Sequence, residues 1–113
     1  MGDDRSEILQ GTLDLMVLKT VDAMGPMHGY GIALRIEQVA EDALRVNQGT
    51  LYICLVRLLQ RKWLSATWGT SENNRRARFY ALTAAGKRHL QAETANWDRV
   101  AGVMGRLLQQ GSA

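Results

Sequence analysis

Three neighbouring arginines, Arg75, Arg76 and Arg78, end a polar turn that follows the helix-like stretch LRVNQGTLYICLVRLLQRKWL over residues 44–64. Guanidinium groups clustered in this way suit phosphate oxygens, which they grip through paired N–H donors. The ordinary fate of a charge run is instead a solvated surface. At about 100° per residue, Leu51, Cys54, Leu55 and Leu58 fall on one side of the preceding helix. Gly49, Ile53, Val56 and Gln60 fall on the other, flanked by Thr50, Tyr52 and Arg57. Asn47 stands where an N-cap belongs, so the helix begins near Gln48, and its first turn offers free amides and a partial positive charge to an anion. Taken alone this is equally an amphipathic core helix. A helix followed by a basic hairpin points to a reader of nucleic acid.

The hairpin is expected from two short runs rich in aromatic and β-forming residues, 66–68 and 77–82, joined by the polar segment 69–76. Charge is distributed unevenly around it. Arg57, Arg61, Lys62, Arg75, Arg76, Arg78, Lys87 and Arg88 face Glu72 alone within residues 57–88, a net +7, whereas residues 1–44 carry a net −5. The whole-chain +3 therefore understates a polarity of the kind that directs a protein to a polyanion. Membrane binding, the competing use, needs bases flanking the apolar face of one amphipathic helix. Here they lie on a helix end, a hairpin and the start of another helix.

A chain of 113 residues with 46% apolar content sustains one modest core. Its longest apolar run, residues 51–56, is far below a membrane span, and Asp3, Asp4, Arg5 and Glu7 stand where a signal peptide would be basic and then apolar. A cytoplasmic protein without membrane partners is expected. The one cysteine, Cys54, excludes an intrachain disulfide and falls toward the buried side, which suits a packing role better than a redox one. His28 and His89 are too isolated for a metal site. With no paired nucleophile and base and no glycine-rich phosphate loop, neither catalytic residues nor cofactors are expected.

The positioning elements follow from periodicity. A first helix over residues 8–24 is apolar around too much of its circumference for one stripe and should face two partners. Gly25 and Pro26 end it, and a second helix runs over about residues 28–40 with Ile32, Ile36 and Val39 at helical spacing. After the hairpin, Thr83 caps a last helix reaching Gln110, along which Leu90, Thr94, Trp97, Ala101, Met104 and Leu108 form a seam spaced by fours and threes. A helix of roughly 40 Å overhangs so small a domain, so the seam is read as a dimer interface. The alternatives are folding back on its own core or pairing with the partner's first helix.

The order helix, helix, reading helix, basic hairpin, seam helix resembles the PadR family of bacterial transcriptional regulators. The resemblance rests on LQGTLDLMVLKTV (9–21), MHGYGIALRIEQ (27–38), LRVNQGTLYICLVRL (44–58), SENNRRARFYALTAAG (71–86) and the helix around Trp97. It implies a mostly α fold with a small β-wing: a winged helix-turn-helix over residues 1–82 continuous with a C-terminal dimerisation helix over 83–113. It also implies a homodimeric repressor on a palindromic operator in double-stranded DNA, released by a small effector. Asn47, Gln48, Thr50 and Tyr52 match the start of the family's recognition helix, with Tyr52 expected on phosphate and Arg57 beside them, and Asn74, Arg75, Arg76 and Arg78 match its wing. Trp97 matches a position that stacks on flat apolar effectors, with Met104, Leu13 and Met16 as walls; a tryptophan there also serves as plain core.

Three residues depart from the family pattern: Ile53 replaces a proline, Leu59 an acid, and Trp63 stands where a helix-ending glycine is usual. Ile53 and Val56 then project outward, toward thymine methyls or toward solvent. Two other classes fit the same residues. A winged helix devoted to protein partners would show a shallow salt dependence. A ligand-binding protein with incidental DNA affinity would bind effector without altering DNA binding.

Overall fold

The computed structural model describes residues 6–7 and 10–110. Residues 8 and 9, where the sequence reading starts its first helix, lie outside the described residues, as do 111–113. The order is β1 (Ser6–Glu7), α1 (Gln10–Met24), β2 (Met27–His28), α2 (Gly29–Val39), β3 (Leu44–Arg45), α3 (Gln48–Gln60), β4 (Leu64–Thr70), β5 (Arg76–Leu82) and α4 (Ala84–Gln110). The fold is mostly helical, with one three-stranded antiparallel sheet in the order β2-β5-β4 and a two-residue parallel pairing of β1 with β3.

Leu13, Val17, Leu18 and Val21 of α1, Ile32 and Ile36 of α2, and Leu51, Cys54, Leu55 and Leu58 of α3 meet in one core. Leu64, Tyr80 and Leu90 bring β4, β5 and α4 into it. The four inward residues of α3 are those expected from its period. The surplus apolar residues of α1 are accounted for as well. One side faces the core, and another, with Leu15, Met16 and Met24, lines a groove against α2.

Local chemistry sets each helix end. The Asn47 side chain accepts from the Thr50 amide at 3.0 Å and caps α3. His28 does the same for α2, its Nδ1 accepting from the Gly31 amide at 3.0 Å. Between α2 and α3 the chain passes through Glu41 and Asp42 at φ 52° and 64°, and the Glu37 carboxylate accepts from the Val46 amide at 2.8 Å. Glu37 thereby fixes the turn that aims α3.

At its far end α3 closes with Lys62 in the left-handed region at φ 64°. The Trp63 amide donates to Leu58 O at 3.1 Å and the Lys62 amide to Leu59 O at 3.0 Å, the paired bonds of a Schellman ending. The left-handed position is thus Lys62, one residue before the site assigned from sequence. Thr83 caps α4, accepting from the Gly86 amide at 2.9 Å and donating to Lys62 O at 2.7 Å. It ties the end of α3 to the start of α4.

Gly86 explains part of the LTAAG motif. A Cβ there would lie 2.1 Å from Trp63 O, so only glycine lets α4 cross the α3–β4 connection this closely. The hairpin is longer than expected. β4 and β5 pair from Leu64↔Leu82 to Thr70↔Arg76, which moves Arg76 out of the turn and into a strand.

Candidate nucleic-acid interface

One face of α3 covers the core, and this burial presents the opposite face to solvent. Asn47, Gln48, Gly49, Thr50, Tyr52 and Ile53 are all exposed. Val56 is half-buried, contrary to its expected outward placement. The exposed set combines amide, hydroxyl and phenol groups, which donate to and accept from base edges or phosphate oxygens, with the single apolar Ile53 among them.

Arg57 corrects the sequence expectation. Its guanidinium turns away from the reading face and pairs with Asp14 of α1, Nε donating to Oδ2 at 3.3 Å and Nη2 to Oδ1. The Cys54 thiol donates to the same Asp14 Oδ1 at 3.0 Å. The bond to Asp14 raises the Arg57 pKa still further. Burial, then the Asp14 bond, pushes the Cys54 thiol well above its ordinary range. Arg57 and Cys54 therefore hold the recognition helix to α1. Arg57 looks free in the sequence because 43 residues separate it from this half-buried acid partner.

The wing carries the remaining arginines. Its tip is a turn in which the Ser71 amide donates to Arg75 O at 2.8 Å and the Asn74 amide to Ser71 O at 2.9 Å. Asn74 takes φ 60°, a conformation asparagine tolerates better than most residues. Arg75, Arg76 and Arg78 are exposed. The Arg76 guanidinium lies 4.5 Å from the ring centre of Trp68 on β4, and that of Arg78 lies 5.8 Å from it. Sequence reasoning treated Trp68 only as a strand former; the clue to its position is strand alternation, which brings Trp68, Arg76 and Arg78 to one face. The excess of base is also smaller than counted, since Arg57 is neutralised by Asp14 and Lys87 contacts Asp22 at 3.2 Å.

Two of the expected effector and dimer residues belong to the core. Leu13 is 2% exposed and Leu90 4%, so neither is free to line a ligand site or a dimer seam. α4 joins the core near Leu90, and beyond it Thr94, Trp97, Ala101, Met104 and Leu108 are exposed, as are Val100, Val103 and Leu107. Met16 and Trp97 both line a groove of about 470 Å³ between α1 and α2 whose walls include Leu15, Met24 and Val39. Met104 is not among its lining residues. Lys19 and Arg35 are, which adds two cationic side chains to the lining.

Among the described residues no group of three His, Cys, Asp or Glu side chains is arranged to hold a metal, and no helix is long and apolar enough to cross a membrane. A protein of Lysinibacillus sphaericus, Uncharacterized protein X, is 26% identical over 96 residues, covering 85% of this chain and 87% of its own. The crystal structure of a PadR family transcriptional regulator from Eggerthella lenta superposes with a TM-score of 0.70 at 26% identity, over 88% of this chain and 83% of that one. A PadR-like transcriptional regulator from Bacillus cereus gives 0.77 at 23% identity, over 89% and 95%. The model of the transcriptional regulator PadR-like family matches residues 17–92, which span the recognition helix, the wing and the start of α4. The winged helix described above is the DNA-binding fold of that family, and the chain belongs to it: it is a PadR-like transcriptional regulator.

Proposed function

We propose that this chain is a homodimeric repressor that places α3 in successive major grooves of a palindromic operator and leaves it when a planar, partly apolar effector binds. The carrying observation is the exposed outer face of α3. Gln48 and Thr50 read base edges from its first turn, Tyr52 and Asn47 contact the flanking backbone, and Asn74, Arg75, Arg76 and Arg78 of the wing hold phosphates. A helix fits the major groove, where all four base pairs differ in their donor and acceptor patterns. Ile53, at 62% exposure, supplies apolar contact for a thymine methyl.

Dimerisation is supported by the outer part of α4, where Trp97, Val100, Val103, Met104, Leu107 and Leu108 remain 47–69% exposed in the single chain. So many large apolar groups on one helix mark an interaction surface. The effector site is the groove lined by Met16 and Trp97, where Arg35, and Lys19 beside its partner Asp22, face a carboxylate or phenolate. Footprinting on the DNA upstream of the chain's own coding region tests this reading. Protection of two inverted half-sites about one helical turn apart, centre to centre, is expected for a two-fold dimer. A lone protected half-site without symmetry would count against it.

A further inference from the structure

Trp68 is a large apolar side chain left 60% exposed on a strand, where the core has no use for it. Register explains what it meets. Trp68 lies directly opposite Arg78, and Thr70 opposite Arg76, so the alternation of a pleated strand puts the indole and both guanidinium groups on one face of the wing. Arg76 lies 4.5 Å from the ring centre and Arg78 5.8 Å, both within the reach of cation–π attraction, for which tryptophan is the best partner. Tyr80 continues the series toward the core, 6.0 Å from Arg78.

A guanidinium attracted to an aromatic ring is held without spending its N–H donors, which remain free for phosphate oxygens. A carboxylate partner would occupy those donors and compete with the phosphate. Two cations beside one ring also repel each other, and an anion arriving between them relieves that repulsion. The exposed ring therefore preorganises two flexible side chains at little cost to their binding capacity.

We infer that Trp68 is a positioning residue of the wing, holding Arg76 and Arg78 side by side as one grip on the sugar-phosphate backbone of duplex DNA. The inference rests on the DNA-binding reading of the wing. Loss of Trp68 weakens all duplexes alike, since backbone contacts carry no sequence information directly.

The test is fluorescence anisotropy with the full chain, using a labelled duplex from its own upstream region and a shuffled duplex of the same composition. Trp68→Leu keeps an apolar side chain but removes the aromatic face, and is expected to weaken binding to both duplexes about tenfold. Trp68→Phe keeps a face and is expected to retain most of the affinity. Arg76→Ala is expected to cost several-fold in the native background and much less in Trp68→Leu, because the arginine acts through the ring. Unchanged binding by Trp68→Leu would overturn the proposal. So would equal losses from Leu and Phe, or strictly additive losses with Arg76→Ala, which would make Trp68 an independent DNA contact. Thermal melts of each variant identify any loss due to unfolding, and Trp68→Thr, which suits a strand and also removes the ring, carries the comparison with Arg76→Ala if the leucine variant does not fold. Failure of the native chain to bind either duplex would instead remove the DNA-binding reading itself.

Discussion

Asp14 connects two side chains of α3: an arginine on the reading helix that turns inward, and a cysteine whose thiol is held protonated. Cys54 gives a pH signature. Its thiol pKa is raised in the folded chain, by burial first and by Asp14 second, above the ordinary value of 9.0. Above about pH 9 the unfolded thiol loses its proton while the folded one keeps it. The folded state then binds more protons, and stability falls as pH rises by up to about 1.4 kcal/mol per unit from this group. Comparing native and Cys54→Ala denaturation at pH 8 and pH 10 should show the steeper loss in the native chain; parallel losses would mean Cys54 does not carry it. Gly86→Ala should destabilise the fold by about 3 kcal/mol, seen as a lower denaturation midpoint, since its Cβ would collide with the Trp63 carbonyl at 2.1 Å. These contacts were hidden in the sequence for one reason. Periodicity shows which side of a helix is buried, but not which distant residue waits there, so Arg57 read as a free base and Gly86 only as a motif letter.

At the scale of elements, helical period and capping chemistry made α3 and α4 legible almost to the residue: Asn47 and Thr83 cap where polar side chains precede apolar repeats. β2 was not legible. Two residues, Met27 and His28, pair with Tyr80 and Phe79, and so short a strand has no alternation to detect. The ends of β4 and β5 were also missed, because Gly69 and Arg76 read as turn residues, whereas the Phe79 ring covers Gly69 within the strand. α4 shows two regimes along one period. Its seam residue Leu90 is core, while Trp97, Met104 and Leu108 are exposed. Period alone does not distinguish the two, since both use the same spacing. Trp97→Asp should therefore leave the winged helix folded and convert a dimer to a monomer, as measured by light scattering after size-exclusion chromatography. A dimer that survives the substitution would place the interface elsewhere.

For the whole molecule, the exposed face of α3, the arginine-bearing wing and the overhanging part of α4 together support the proposed paired reader of duplex DNA, in which phosphate contacts would supply most of the affinity. Charge polarity was legible from the sequence, but its effective size was not, because Arg57 and Lys87 are paired internally. The most direct measurement is an anisotropy titration of the native chain against its upstream duplex and a shuffled one at two salt concentrations, repeated with Arg75 and Arg76 both changed to Glu. Three wing arginines from each of two protomers make about six phosphate contacts, for which log K should fall with log salt at a slope of about −5. The account predicts tighter binding to the upstream duplex, that steep slope, and loss of binding to both duplexes in the charge-reversed variant. Equal, weak binding to both duplexes with little salt dependence, unaffected by reversing the arginines, would contradict it.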